Sequence, residues 1–219
     1  MTRKSAVLLD VDGTLVDSNY FHAIAWFRAF RRHDFTFTFA QIHRLIGMGA
    51  DQLLQHLVGD ESSGIEDAWQ REFVELRDEI AATPGAGDLV RTLHERGLTT
   101  VYATSGKPDD VEALRKVIDA DQYVDHTVNS SEVDNSKPAP DIFERALERA
   151  GVSADQAIVV GDTVWDVEAA AACGLRCVAL LTGGISDGEL RDAGAIAVYE
   201  SPKTLLAELD NSPIARLVN

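Results

Sequence analysis

From residue 97 onward the chain repeats one unit: a short apolar run, a turn, then a stretch with helical spacing. The runs are Thr99–Ala103, Ala157–Gly161, Arg176–Leu180 and Ala195–Tyr199, and a similar run, Ala6–Leu9, stands near the N-terminus. Strands that alternate with helices pair in parallel, with helices covering both faces of the sheet. The pattern therefore predicts an α/β fold, a doubly wound parallel sheet with the first strand near its centre. Helical stretches run from Asp88 to Arg96, closed by Gly97, and from Pro140 to Ala150, closed by Gly151; glycine after a helix readily takes the left-handed conformation that ends it. Asp109-Asp110 opens another, with Val111, Leu114, Val117 and Ile118 on one face.

Residues 17–83 break the pattern. Apolar positions there recur at helical spacing, with no convincing strand. One helix begins after Ser18 with Phe21, Ile24, Ala25 and Phe27, a second covers Gln52 to Val58, and a third Glu66 to Ala82. This predicts an all-helical unit, 17–83, inserted into a core made of 1–16 and 84–219. Leu15 to Asp17 is the outgoing hinge and Pro84-Gly85 the returning one.

Lys+Arg 20 against Asp+Glu 36 gives a formal charge of -16. Such a surface repels phosphate backbones and anionic membranes, so neither nucleic acid nor a membrane is an expected partner. A small anionic substrate is still admissible, because local cations set the field inside a cleft. No apolar run approaches the ~20 residues that cross a bilayer. Met1-Thr2-Arg3-Lys4-Ser5 leads straight into the first run without a secretory segment, and Cys173 and Cys177 have no metal-ligand neighbours, so they read as buried reduced thiols. The expected location is the cytoplasm. The oligomeric state is not readable.

The first run ends in Asp10-Val11-Asp12-Gly13-Thr14. Strand carboxyl ends of a parallel sheet share one rim, where ligands bind. Three other groups follow strands or open helices: Thr104-Ser105-Gly106-Lys107, Lys137-Pro138-Ala139-Pro140-Asp141, and Gly161-Asp162-Thr163-Val164-Trp165-Asp166. The rim thus gathers four acids, a hydroxyl and a lysine, which suits phosphoryl transfer to and from a carboxylate. Mg²⁺ prefers carboxylate oxygens, supplied here by Asp10 and Asp162 with the Asp12 backbone carbonyl; Asp166 is a direct or outer ligand. Asp10 is the candidate nucleophile and Asp12 the candidate general acid and base. Lys137, the Thr104 hydroxyl, Thr14, and the backbone N–H groups around Asp12, Gly13 and Ser105 would hold phosphate oxygens.

These four motifs, in this order, resemble the haloacid dehalogenase-like phosphohydrolase superfamily, over nearly the whole chain. The resemblance implies a Rossmann-like core with Mg²⁺. A helical cap after the first motif places the chain beside the phosphoglycolate phosphatase and β-phosphoglucomutase branch, and Gly183-Gly184, Leu190 and Ala193-Gly194-Ala195 look like that branch's C-terminal region. Asp12 argues against the dehalogenases and phosphonoacetaldehyde hydrolases, which lack an acid there. His22 matches a hinge histidine of the mutase branch. That branch's substrate-gripping arginine should fall near Gly47-Met48-Gly49-Ala50, where this chain has Ala50.

The expected function is Mg²⁺-dependent hydrolysis of a small phosphorylated metabolite through an aspartyl-phosphate. The alternatives are a phosphosugar mutase and, more remotely, a phospho-accepting signalling domain. Trp26, Trp69 and Phe73 read as the core of the insert. Arg44 and Met48 stand as either substrate-facing or ordinary helix-end residues, and Asp162 or Asp166 as the N-cap of a helix near Val164.

Overall fold

The structure, a computed structural model, describes residues 5–217; Met1–Lys4, part of the expected N-terminal lead-in, lie outside them. Among the described residues six strands form one sheet: β1 (Ala6–Leu9), β2 (Thr99–Ala103), β3 (His126–Val128), β4 (Ala157–Gly161), β5 (Arg176–Leu180) and β6 (Ala197–Tyr199). Their order is β3-β2-β1-β4-β5-β6, with every neighbouring pair parallel. The first strand is central, and the sheet reverses direction of growth beside it. Ligands bind at such a reversal in open α/β sheets.

Burial on both faces explains why the strands read as continuous apolar runs. Val7 and Leu9 point to one face with Tyr102, Ile158 and Val160, beneath α5 (Ala86–Glu95) and α10 (Pro202–Ala207). Ala6 and Leu8 point to the other, with Val101, Val159 and Ala179, beneath α7 (Asp141–Ala150), α8 (Val164–Ala172) and α9 (Asp187–Asp192). Each fully buried Val or Leu contributes roughly 1.5–3 kcal/mol. That burial makes the sheet a stiff frame for whatever its ends carry.

The insert comprises α1 (Asn19–Arg32), α2 (Phe39–His43), α3 (Ala50–Leu57) and α4 (Ile65–Leu76). Trp26 of α1 stacks on Trp69 of α4 with ring centroids 4.9 Å apart, and buried Phe30 and Phe73 extend the seam. The chain enters and leaves through two short segments lying side by side. The Asp17 amide donates to the Ala81 carbonyl (2.9 Å) and the Thr83 amide to the Leu15 carbonyl (3.0 Å).

Several expectations need correction. The helix drawn from Glu66 to Ala82 stops at Leu76, passes through a short 3₁₀ turn at Arg77–Glu79 and becomes extended at Ile80, because the chain must run back beside Leu15–Asp17. The edge strand β3 went unseen. In α6 (Pro108–Ile118), Val111, Leu114 and Ile118 are buried but Val117 is exposed. Cys177 is buried and Cys173 only partly so; both are free thiols. Among the described residues no helix is long and apolar enough to cross a membrane.

Candidate active site

Register carries the acids to the rim. Leu9 lies beside Tyr102 of β2 and Val160 of β4, so the next residues of all three strands emerge together, and the Asp10 amide still donates to the Val160 carbonyl (2.9 Å). Lys137, 1% exposed, reaches this rim from the loop between β3 and α7. Its ammonium donates to Asp10 Oδ1 (2.5 Å) and to Asp166 Oδ1 (2.7 Å). Asp162 accepts from Thr14 Oγ1 (2.6 Å) and from Asn19 Nδ2 (2.8 Å). The hydroxyl of Thr14 also lies 3.1 Å from Asp10 Oδ2, but its single proton can satisfy only one of the two carboxylates.

Asp12 faces away from this cluster. Its Oδ1 accepts from Ser18 Oγ (2.7 Å) and lies 2.9 Å from His22 Nε2, while Oδ2 stands 3.4 Å from Thr104 Oγ1. The His22 ring is held by stacking on Phe73, centroid to centroid 4.0 Å. Ser18 and His22 both belong to the start of the helical segment between β1 and β2, so that segment supplies the two nearest partners of Asp12.

The two carboxylates of the DxD pair differ electrostatically. Burial, with the nearby charges of Asp166 and Asp12, outweighs Lys137 and pushes Asp10 up to about 7. Burial and the charges of Asp166 and Asp10 raise Asp162 well above the usual range. Burial pulls on Asp12 in the same sense, but His22 and the Ser18 hydrogen bond prevail and hold it below its ordinary value. Burial opposes the charge on Lys137, whereas Asp10 and Asp166 stabilise it and raise its affinity for the proton.

The residues fit a hard divalent cation. Asp10, Asp162 and Asp166 each bring a carboxylate oxygen within 4.8 Å of the others, all buried. Burial, together with mutual repulsion that one ammonium does not offset, drives Asp10 and Asp162 toward protonation. Such crowding is relieved by oxygen-seeking Mg²⁺. Both Asp166 oxygens are engaged, Oδ1 by Lys137 and Oδ2 by the Thr163 amide (3.1 Å) and hydroxyl (2.7 Å), and both Asp162 oxygens by Thr14 and Asn19, so Asp10 Oδ2, which shares the Thr14 hydroxyl at 3.1 Å, is the freest oxygen of the three carboxylates.

A cavity of about 60 Å³ opens above the rim, lined by Asp10, Asp12, His22, Thr104, Ser105 and Gly106 below. Trp26, Ile46, Gly47, Met48, Ala50 and Trp69 of the insert close it from above. Cap-like ties span the seam: Asp110 of α6 accepts from Gln70 Nε2 and from Arg77 Nη1, both at 2.9 Å, and Lys107 pairs with Glu66 at 2.7 Å.

Most of the expected residues converge, but several do other work. Gly13 and Thr14 were expected to hold phosphate. Instead the Gly13 amide donates to the Val16 carbonyl (2.8 Å), and fully buried Thr14 braces Asp10 and Asp162 from below. Gly13 has φ +76°, where a side chain is strained, and a Cβ there would collide with Asp162 and Asn19. The helix N-cap is Thr163, not Asp162 or Asp166, because Asp162 is drawn to Thr14 and Asn19 while Asp166 closes the capping box. Arg44 turns outward to Glu189, whereas Met48 lines the cavity. Ser18, Asn19, Thr163, Trp26 and Trp69 were missed as site residues. The serine and asparagine had a signal, since they directly follow the first motif.

Residues 4–174 match the haloacid dehalogenase-like hydrolase family. A validoxylamine A 7'-phosphate phosphatase of Streptomyces hygroscopicus subsp. limoneus is 29% identical over 180 residues, 80% of this chain and 84% of that protein. A phosphorylated carbohydrates phosphatase of Thermotoga maritima is 28% identical over 211 residues, 91% of this chain and 96% of that one. The crystal structure of a hydrolase from Pseudomonas syringae aligns with a TM-score of 0.89 at 34% identity, covering 95% of this chain and 99% of the other. The chain therefore belongs to the haloacid dehalogenase-like hydrolases and is an enzyme of the phosphoric monoester hydrolase class.

Proposed function

We propose that the protein is a Mg²⁺-dependent phosphatase that hydrolyses a small phosphorylated metabolite through an aspartyl-phosphate on Asp10. The observation that carries this reading is the pairing of Asp10 with Lys137 (2.5 Å) at a strand end, with a second, separately held carboxylate, Asp12, across the cavity. Lys137 orients one Asp10 oxygen and offsets the repulsion between that carboxylate and an incoming phosphate. An Asp10 oxygen attacks phosphorus, the bond to the leaving oxygen breaks, and that oxygen takes a proton from Asp12. Water then attacks the phosphorus, gives a proton to Asp12 and releases phosphate with Asp10 regenerated. Bound Mg²⁺, held by Asp10, Asp162 and the Asp12 carbonyl with Asp166 behind them, would neutralise phosphate charge.

An ionised Asp12 accepts only, so the His22–Asp12 hydrogen bond has its proton on Nε2. Ionised Asp12 is the form that takes a proton from water. A phosphate dianion beside it raises its proton affinity, so with substrate bound Asp12 carries the proton it passes to the leaving oxygen and regains it from water, while His22 Nε2 stays hydrogen-bonded to it. Thr104 Oγ1, already accepting from the Gly106 amide (3.0 Å), and Ser105 are the proposed contacts of the phosphate oxygens. Residues 17–83 act as a cap. A cavity of about 60 Å³ is far below the ~300–1,000 Å³ of ligand pockets, so the ester enters when the cap swings on the paired segments at Leu15–Asp17 and Ala81–Thr83.

The mutase reading has one observation in its favour, the contact of His22 with Asp12. The uncharged wall at Ala50 weighs against it. Phosphate release from p-nitrophenyl phosphate tests the assignment. Asp10→Asn should lower kcat by at least about 10⁴-fold, and chelation should abolish release until Mg²⁺ is restored. Turnover that survives either change would overturn the nucleophile or the metal. Isomerisation of a bisphosphate-primed hexose phosphate faster than phosphate release would establish the mutase instead.

A further inference from the structure

The insert begins with two polar residues that serve the floor of the site and not their own helix. Ser18 is the N-cap of α1, yet its side chain accepts no hydrogen bond from that helix; its hydroxyl donates to Asp12 Oδ1 (2.7 Å). Asn19, the first residue of α1 and 2% exposed, turns to a different carboxylate, and its Nδ2 donates to Asp162 Oδ2 (2.8 Å). Serine and asparagine at a helix start ordinarily satisfy the free backbone amides there. Here both side chains are given over to the acids of the rim.

Asp162 lies in a slot walled by two glycines. A Cβ on Gly183 would collide with Asp162 Oδ2, and a Cβ on Gly13 would collide with the same oxygen and with both amide atoms of Asn19. Gly183 is fixed in its turn, since its carbonyl accepts from His43 Nε2 (3.0 Å). Within the slot Thr14 Oγ1 holds Asp162 Oδ1 (2.6 Å) and Asn19 holds Oδ2, so one donor on each oxygen sets the plane of the carboxylate. An oxygen that accepts one hydrogen bond keeps a lone pair for a cation.

The other end of the same amide is a second observation. Asn19 Oδ1 is buried and has no hydrogen-bond partner. Buried polar atoms are nearly always satisfied, so this carbonyl marks a place for a donor that the chain does not supply. Mg²⁺ gives up its waters reluctantly, and those waters are donors of that kind.

We infer that Asn19 is a positioning residue for the metal: it holds the Asp162 carboxylate ready for Mg²⁺, from a position outside the four motifs. The inference rests on the phosphatase reading above and adds a residue to it. Without Asn19, Asp162 is pinned by Thr14 alone, a single contact about which the carboxylate can turn. That contact is itself shared, because the Thr14 hydroxyl also lies 3.1 Å from Asp10 Oδ2. Removing an outer contact of a metal ligand typically costs about 10–100-fold in metal affinity.

The test measures the affinity of the full chain for Mg²⁺ alone by isothermal titration calorimetry, after chelation of bound metal, in the parent, Asn19→Leu and Asn19→Ser. Leucine keeps the approximate volume and removes the amide. Serine is readily accommodated at a helix start, and its hydroxyl is one bond shorter than the amide nitrogen. Both variants should bind Mg²⁺ at least about tenfold more weakly. In phosphate release from p-nitrophenyl phosphate, the half-saturating Mg²⁺ concentration should rise by the same factor, while kcat at saturating Mg²⁺ returns close to that of the parent. A contact that served only to anchor α1 would lower the thermal midpoint of the metal-free protein and leave Mg²⁺ affinity alone. Unchanged affinity in the variants, or a kcat that saturating Mg²⁺ does not restore, would overturn the inference. A parent that binds no Mg²⁺ would instead sink the metal in the phosphatase reading, and the inference with it.

Discussion

Four carboxylates and one ammonium form the floor of the site; two tryptophans, an isoleucine, a methionine and an alanine form most of its roof. The floor stands on strand ends and adjoining loops of the buried sheet. The roof hangs from the inserted helices. In the floor, the carboxylates and the ammonium are held by specific partners and the net charge is left unbalanced. In the roof, side chains are held by stacking and apolar contact, and a buried donor, the Trp69 indole N–H, is left free. The contrast separates two tasks: the floor is arranged for charge transfer common to any phosphate ester, whereas the roof meets the part of the ester that varies.

The largest expected effect on this contrast comes from taking the ammonium out of the floor. Lys137→Met leaves Asp10 and Asp166 buried with no cation between them, and loss of one partner of a buried ion pair costs about 3–5 kcal/mol. Urea unfolding of the metal-free protein measures it, and a variant as stable as the parent would show that the floor does not depend on this charge balance. A smaller effect follows from giving the roof the charge it lacks. Ala50→Arg should raise kcat/KM for phosphoglycolate relative to glycerol phosphate about tenfold, since one added cation changes discrimination more than it changes chemistry. An unchanged ratio would mean that selectivity is not set at this wall. Smallest of all is the outer tie between insert and core: Arg44 and Glu189 are both well exposed, so Arg44→Ala should leave the thermal midpoint within error. A clear drop in a melting curve would show that exposed pairs help hold the roof down.

The four core runs of the sheet were legible because strands buried on both faces are predominantly apolar; Ala6–Leu9, Thr99–Ala103, Ala157–Gly161 and Arg176–Leu180 fall where the structure has β1, β2, β4 and β5. The edge strand β3 was not, since three residues with a half-buried histidine and threonine carry no such signal. Asp10, Asp12 and Asp162 were legible because charged residues at the ends of apolar runs have few other reasons to be there, whereas Lys137, in the loop before α7, was legible only through its Lys137–Asp141 context. Trp26 and Trp69 were read as insert core, and they do pack there. An apolar helix face has the same sequence pattern whether it covers other side chains or a cavity. Gly13 and Thr14 share a motif with Asp10, but the tight turn directs the Gly13 amide to Val16 and the Thr14 hydroxyl inward between Asp10 and Asp162.

By itself, the order of apolar runs and acids determined the parallel sheet, the inserted helices and the group of residues at the rim, because periodicity and strand direction are local properties that fix where side chains emerge. Tertiary structure alone decided how those groups divide. Residues far apart in sequence meet only when the sheet closes: Lys137 with Asp10 and Asp166, Asn19 with Asp162, and His22 with Asp12. Electrostatic character depends on such distances and on burial, so two aspartates two residues apart are driven in opposite directions, Asp10 toward its proton and Asp12 away from it.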